Sequence, residues 1–109
     1  MRRGDIVVIA DRSGDYSGKP RPGVIVQSDA FDLLESVAVC PITSTDANSP
    51  LLRLRIEPSS SLPLGSTSWI AVDKLSAVRR RRIGAVIGRL SQPDIQRLNG
   101  ALIVLLGLA

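Results

Sequence analysis

The chain has no histidine, one cysteine, and one each of tryptophan, tyrosine and phenylalanine in 109 residues. Each scarcity excludes something. Without histidine there is no ordinary general base near neutral pH, and the commonest metal ligand is missing too. A single cysteine, Cys40, rules out an intramolecular disulfide and a Cys-rich zinc site. Cys40 sits in an apolar run and reads as a small buried hydrophobe, with a nucleophile as the alternative. No metal site and no cofactor are expected. With few aromatics, aliphatic side chains must fill the interior, and an apolar fraction of 44% is enough for that. Long hydrophobic runs are lacking as well. The apolar stretch after Met1-Arg2-Arg3-Gly4-Asp5 stops at Asp11, too soon for a signal peptide. The run from Ala101 to Ala109 is far shorter than the roughly 20 residues that span a bilayer. A soluble, cytoplasmic protein without membrane contact is the expectation.

What is present suits one domain over 1–109 with one core. The formal charge is +4, unevenly spread. Residues 1–50 carry five basic and seven acidic side chains, a net −2, whereas residues 51–109 carry nine and three, a net +6. A basic half points to a polyanion or an acidic partner, with a merely solvated surface as the alternative.

Short β-branched runs predict strands over 5–10, 23–27, 36–42, 52–56 and 68–72, with one or two more between Val78 and Leu90 around Gly84 and Gly88. Leu52, Leu54 and Ile56 share one face of their strand, so Arg53 and Arg55 share the other and face water or a ligand. Residues 11–22 contain two glycines and two prolines and read as a long loop. Ser28 or Asp29 can cap one helical turn. Ser91-Gln92-Pro93-Asp94 has capping-box spacing, and Ile95, Leu98, Leu102, Leu105 and Leu106 then follow helical spacing. Ile103, Val104 and Leu108 widen that apolar surface until little polar face is left. Such a helix should be buried in the core or against another subunit. The fold class is therefore mainly β, five to seven short strands closed by a C-terminal helix.

Chemistry concentrates at two strand ends. Arg21 stands between Pro20 and Pro22, directly before an apolar strand, so it is presented on a stiff approach. Thr43 and Ser44 follow Val39-Cys40-Pro41-Ile42. A guanidinium and two hydroxyls at one rim of a small barrel make a plausible phosphate site, since an arginine fork matches phosphate oxygens bidentately. Alternatively, Arg21 is an exposed loop side chain and Thr43 caps the following loop through local backbone bonds. Arg79 to Arg82 are either a charged edge that discourages strand pairing or contacts to a nucleic-acid backbone. Trp69 reads as core or interface, with base stacking as the other option.

These residues also resemble a family. Arg3-Gly4-Asp5-Ile6-Val7, Arg21-Pro22-Gly23-Val24-Ile25-Val26-Gln27-Ser28-Asp29, Val39-Cys40-Pro41-Ile42-Thr43-Ser44, Ile87-Gly88-Arg89-Leu90-Ser91 and the closing Leu105-Leu106-Gly107-Leu108 recur in this order in the MazF/PemK toxin endoribonucleases (mRNA interferases). The resemblance spans nearly the whole chain. It implies an SH3-like (PemK/CcdB-type) β-barrel with a C-terminal helix, usually a homodimer. It also implies metal-independent cleavage of single-stranded RNA by 2′-hydroxyl attack, leaving a 2′,3′-cyclic phosphate and a 5′-hydroxyl. An antitoxin with an acidic tail is the implied protein partner. The family's catalytic arginine and threonine fall on Arg21 and Thr43, and the aspartate proposed as base in PemK-like members falls on Asp73, with Asp15 and Asp29 as weaker choices. The arginine proposed there as acid is replaced by Ala71. Lys19, Ser44, Arg53, Arg55, Arg79 and Arg80 are the expected RNA contacts. Two other functions compete: a non-catalytic, gyrase-inhibiting toxin of the CcdB type, and a barrel that binds nucleic acid or an acidic peptide without turnover. The CcdB type needs a tryptophan near the C-terminus, whereas this chain ends Leu-Gly-Leu-Ala.

Overall fold

The computed structural model describes residues 1–10 and 20–108. Among the described residues, seven strands form one curled antiparallel sheet: β1 (Asp5–Ile9), β2 (Arg21–Ile25), β3 (Ser36–Thr43), β4 (Arg53–Ile56), β5 (Ser68–Ala71), β6 (Ser76–Arg79) and β7 (Ile83–Arg89). One helix, α1 (Gln92–Leu106), follows. The pairing order is β4-β5-β3-β2-β1-β7, and β6 adds to β3. β3 has eight residues, long enough to pair with β2 on one edge and with both β6 and β5 on the other. β4 and β7, at the two ends of the path, are not strand partners among the described residues. The segment that follows β4 reaches β7, where Arg89 N donates to Ser61 O at 2.9 Å. The barrel is thus curled round and nearly shut rather than laddered all the way.

Alternation makes both faces of the central strands apolar. Ile6, Val24, Cys40, Ile42, Ile70 and Leu98 lie in the main core, which α1 covers. Their neighbours Val7, Ile25 and Val39, with Val37 and Val78, form a second, smaller cluster on the opposite face. Each fully buried aliphatic side chain contributes roughly 1.5–3 kcal/mol, so the main core carries most of the stability. The second cluster builds the floor on which the charged residues stand.

The strand beginning at Arg21 corrects the expectation that residues 11–22 are all loop: Arg21 and Pro22 lie inside β2, opposite Ile9 and Val8 of β1. The β2–β3 ladder stops at Gly23–Pro41, where Pro22 has no N–H to extend it. The break between β6 and β7 falls on a 3-10 turn, Arg80–Arg82, and not on Gly84 or Gly88. Two irregularities in the β1–β7 register bend β7 instead.

Helix α1 starts where expected. Ser91 Oγ accepts from Asp94 N at 3.2 Å, and Gly107 ends the helix in the left-handed region at φ 69°. Asp94 does not reach back to the cap; it pairs with Arg97 at 2.9 Å. Burial of α1 is less complete than its composition predicts. Leu98 and Ala101 are buried, while Ile103 and Val104 are 41% and 58% exposed. No helix among the described residues is long and apolar enough to cross a membrane.

Two glycines make opposite predictions. A Cβ on Gly88 would lie 2.7 Å from the Ser61 carbonyl oxygen, where the segment that follows β4 reaches β7, whereas a Cβ on Gly100 in α1 meets nothing within 4 Å. Gly88→Ala should therefore lose about 1–3 kcal/mol in urea unfolding, and Gly100→Ala should gain about 0.5–1 kcal/mol.

Candidate functional site

Much of the motif-bearing sequence is joinery. Asp5 is a buried carboxylate that accepts from Arg2 N at 2.7 Å and from Arg89 Nη1 at 3.0 Å. Gly4 precedes it at φ 90°, a backbone shape that favours glycine. Arg3 Nε donates to Val26 O at 2.8 Å, and Arg3 N donates to Asp29 Oδ1 at 2.7 Å. Gln27 bridges Ala38 N and Phe31 O, and Ser28 caps the Asp29–Phe31 turn. These groups hold β1, β2, β3 and β7 in register. Asp29, being bound to Arg3, belongs to this frame.

On the face bearing the smaller apolar cluster, a row of side chains crosses the strands. Arg55 in β4 lies opposite Trp69 in β5, and Trp69 lies opposite Thr43 in β3. Continuing the Gly23–Pro41 register by two residues sets Thr43 across from Arg21, whose partner on β1 is Ile9. Both lie two residues beyond the last pair of that ladder, at the start of β2 and the end of β3. Arg21 is exposed and has no hydrogen bond or ion pair among the described residues. Beside it, Ile9, Val39 and Val78 line a depression of about 260 Å³, with Ser76 and Arg82 at its edge. Arg82 donates from Nη2 to Ala10 O at 2.9 Å.

Thr43 is half-buried, and its Oγ1 accepts from Thr45 N at 3.1 Å. That local bond orients the hydroxyl and leaves its proton available to a ligand oxygen. Ser44, next in sequence, is exposed.

Asp73 lies in a 3-10 turn, Val72–Lys74, and both its oxygens are held by Arg53, at 2.8 Å from Nε and 3.2 Å from Nη2. The Arg53 hydrogen bond, more than its charge alone, holds the Asp73 carboxyl below the usual range. Arg53 shares the outward face as its alternation predicts, yet its guanidinium is folded onto Asp73 and its side chain as a whole is only 12% exposed. Arg55 reaches outward and pairs through Nε with Glu57 at 2.7 Å. Glu57 also accepts from Thr67 Oγ1 at 2.6 Å, the main cause of its lowered pKa, with Arg55 second.

The arginine run divides. Arg79 and Arg81 are exposed and border a groove beside Ser76. Arg80 turns inward, where Nε donates to Leu34 O at 2.8 Å while Nη2 is buried without a partner. It braces the Leu34 turn rather than facing solvent. Lys19 and Asp15 lie outside the described residues. Among the described residues no group of three or more His, Cys, Asp or Glu side chains could hold a metal ion. Sequence reasoning missed the apolar floor beside Arg21 and the alignment of Trp69 with Thr43. Counting alternation inward from the strand ends would have found both.

The fold, a curled antiparallel sheet with one C-terminal helix, is shared with solved MazF toxins. An endoribonuclease from Mycobacterial species, solved with its cognate antitoxin, superposes with a TM-score of 0.80 at 22% identity, covering 100% of this chain and 97% of that one. MazF in a MazE–MazF complex from Deinococcus radiodurans gives 0.78 at 19% identity, with the same coverage. In sequence, the "Probable endoribonuclease MazF" of Mycolicibacterium smegmatis is 47% identical over 109 residues, covering 100% of this chain and 99% of that protein. Residues 2–106 match the family of PemK-like, MazF-like toxins of type II toxin–antitoxin systems. The chain belongs to that family.

Cys40 is fully buried in the core, and burial pushes its thiol pKa up to about 12, with the Asp73 charge adding to the shift. An unfolded thiol ionises near 8.5. The folded value lies above the unfolded one, so the stability that Cys40 contributes is complete below about pH 8.5 and declines as pH rises toward 12. Native protein at pH 8 should resist thiol reagents that label it rapidly in denaturant, and Cys40→Ala should flatten the alkaline fall in stability.

Proposed function

We propose that the chain is the toxin of a type II toxin–antitoxin pair and acts as a metal-independent endoribonuclease on single-stranded RNA in the cytoplasm. The observation that carries this reading is the placement of Arg21 and Thr43 at facing strand ends, on one face, with the guanidinium unpartnered among the described residues. Membership of the PemK-like, MazF-like family supports it. The names of its relatives give the substrate class.

In the proposed reaction the 2′-oxygen bonds to the adjacent phosphorus and the bond from phosphorus to the 5′-oxygen breaks. The 2′-hydroxyl loses its proton and the leaving 5′-oxygen gains one. The products are a 2′,3′-cyclic phosphate and a 5′-hydroxyl. Arg21 stays charged and stabilises the dianionic transition state through its fork of donors. Thr43, oriented by Thr45 N, donates its hydroxyl proton to the same phosphate. Asp73, proposed as base, must first release a bond to Arg53, and its lowered pKa makes it a weak proton acceptor. Ser44, Arg55, Arg79 and Arg81 remain as surface contacts for the RNA on either side.

The same reading assigns two partners. An antitoxin with an acidic tail would compete for the basic half, which carries a net +6 over residues 51–109. A second copy would cover the apolar surface left open on α1, where Ile103, Val104 and Leu106 are 41%, 58% and 53% exposed.

Long single-stranded RNA incubated with the antitoxin-free protein in EDTA is expected to give discrete cuts ending in cyclic phosphate. Arg21→Ala and Thr43→Ala should each slow cleavage by about 10²–10³-fold while leaving the unfolding curve unchanged. Intact RNA with the unmutated protein would refute the enzymatic reading and leave a binding module. Normal cutting by both variants would refute the site.

A further inference from the structure

Trp69 is the only tryptophan in the chain. Its strand neighbours Ser68 and Ile70 are buried, whereas Trp69 is half-exposed on the outer face. Thr43 is its cross-strand partner on one side and Arg55 on the other. The indole therefore starts one strand away, about 4.8 Å, from the hydroxyl assigned to the scissile phosphate. Its N–H has no hydrogen-bond partner among the described residues, although a buried indole normally finds one. Trp69, Arg55 and Arg97, with Asn48 and Pro50, line a depression of about 330 Å³, at the lower end of the range that small ligands occupy, roughly 300 Å³ upward.

We infer that Trp69 is a stacking platform for one nucleobase of the RNA strand, that of a nucleotide flanking the scissile phosphate. This rests on the endoribonuclease reading. Single-stranded nucleic-acid sites combine an aromatic face, on which any base stacks, with arginine donors for the backbone. Both are present here in the right order along the row. A contact between copies of this chain fits the place less well, because a stable interface needs a contiguous apolar centre and the residues lining this depression are mostly polar. The Trp69 depression is rimmed by Arg53, Arg55, Arg97 and Asp46, and none of the large exposed apolar side chains, such as Phe31, Leu33, Val86 and Val104, lines it.

Charge also predicts how this subsite binds. Arg53, Arg55 and Arg97 are each paired with a carboxylate, Asp73, Glu57 and Asp94 respectively. The depression is therefore not a positive well, and its grip depends on stacking and directed donors. Losing the indole should cost the same factor at low and high salt, whereas losing a phosphate contact changes the salt slope itself.

The test uses the sole tryptophan as its own probe. After a cleavage site is mapped, that site is supplied as a short RNA with a 2′-deoxynucleotide in place of the attacking hydroxyl. Titration should quench Trp69 emission to saturation. Trp69→Ala should weaken binding of the labelled RNA about tenfold, equally at 50 mM and 200 mM salt, and Trp69→Phe should restore most of the loss. Binding with unchanged emission would overturn the inference while leaving the endoribonuclease reading intact. So would emission that follows protein concentration without RNA, which would assign the indole to a contact between copies. If the unmutated protein cuts no RNA, both readings fall together.

Discussion

Strand β3 hydrogen-bonds to three other strands, and the placement of every functional side chain depends on the register that results. Its first half pairs with β6 and its last two residues with β5, while its middle pairs with β2 on the other edge. A shift of one residue along any of these ladders would turn Thr43 into the core and bring Ile42 or Ser44 to the outer face. Ile42 is buried against Ile70, so the hydrophobic pattern forbids that shift. The polar row on the outer face is aligned by apolar packing on the inner one.

The strands and the capped helix were legible because each rests on a local rule, whereas the roles of Arg21 and Thr43 came from the family resemblance. Alternation placed Arg53 and Arg55 on one face, and cap residues placed the start of α1. Local rules stop short of tertiary placement. Arg53 faces outward as the pattern requires, but Asp73 twenty residues away holds its guanidinium. The four consecutive arginines look equivalent in sequence, yet a 3-10 turn sends Arg80 inward to Leu34 and leaves Arg79 and Arg81 outside. The apolar surface of α1 exceeds what this chain covers, leaving Ile103, Val104 and Leu106 exposed, which is the basis for proposing a second copy there.

The family-like blocks divide in the same way. Arg3, Gly4, Asp5, Gln27, Ser28, Asp29 and Arg89 form a hydrogen-bonded frame around β1, β2 and β7. Arg21, Thr43 and the adjacent Ser44, at the strand ends beyond the last β2–β3 ladder pair, keep side-chain donors without a partner among the described residues. Chemistry sits where the ladder runs out, because the backbone ladder holds the strands there without using the side chains. On the proposed reading, the absence of histidine and the clamped Asp73 make charge stabilisation, not proton transfer, the main contribution of the protein.

The central claim is that Arg21 and Thr43 act on one phosphate. A double-mutant cycle measures this directly, using single-turnover cleavage of one mapped RNA by the parent, Arg21→Ala, Thr43→Ala and the double variant. Two groups holding the same phosphate should be strongly non-additive, with the double variant little slower than the worse single one. Losses that simply multiply would mean that the two residues act independently, and would contradict the account.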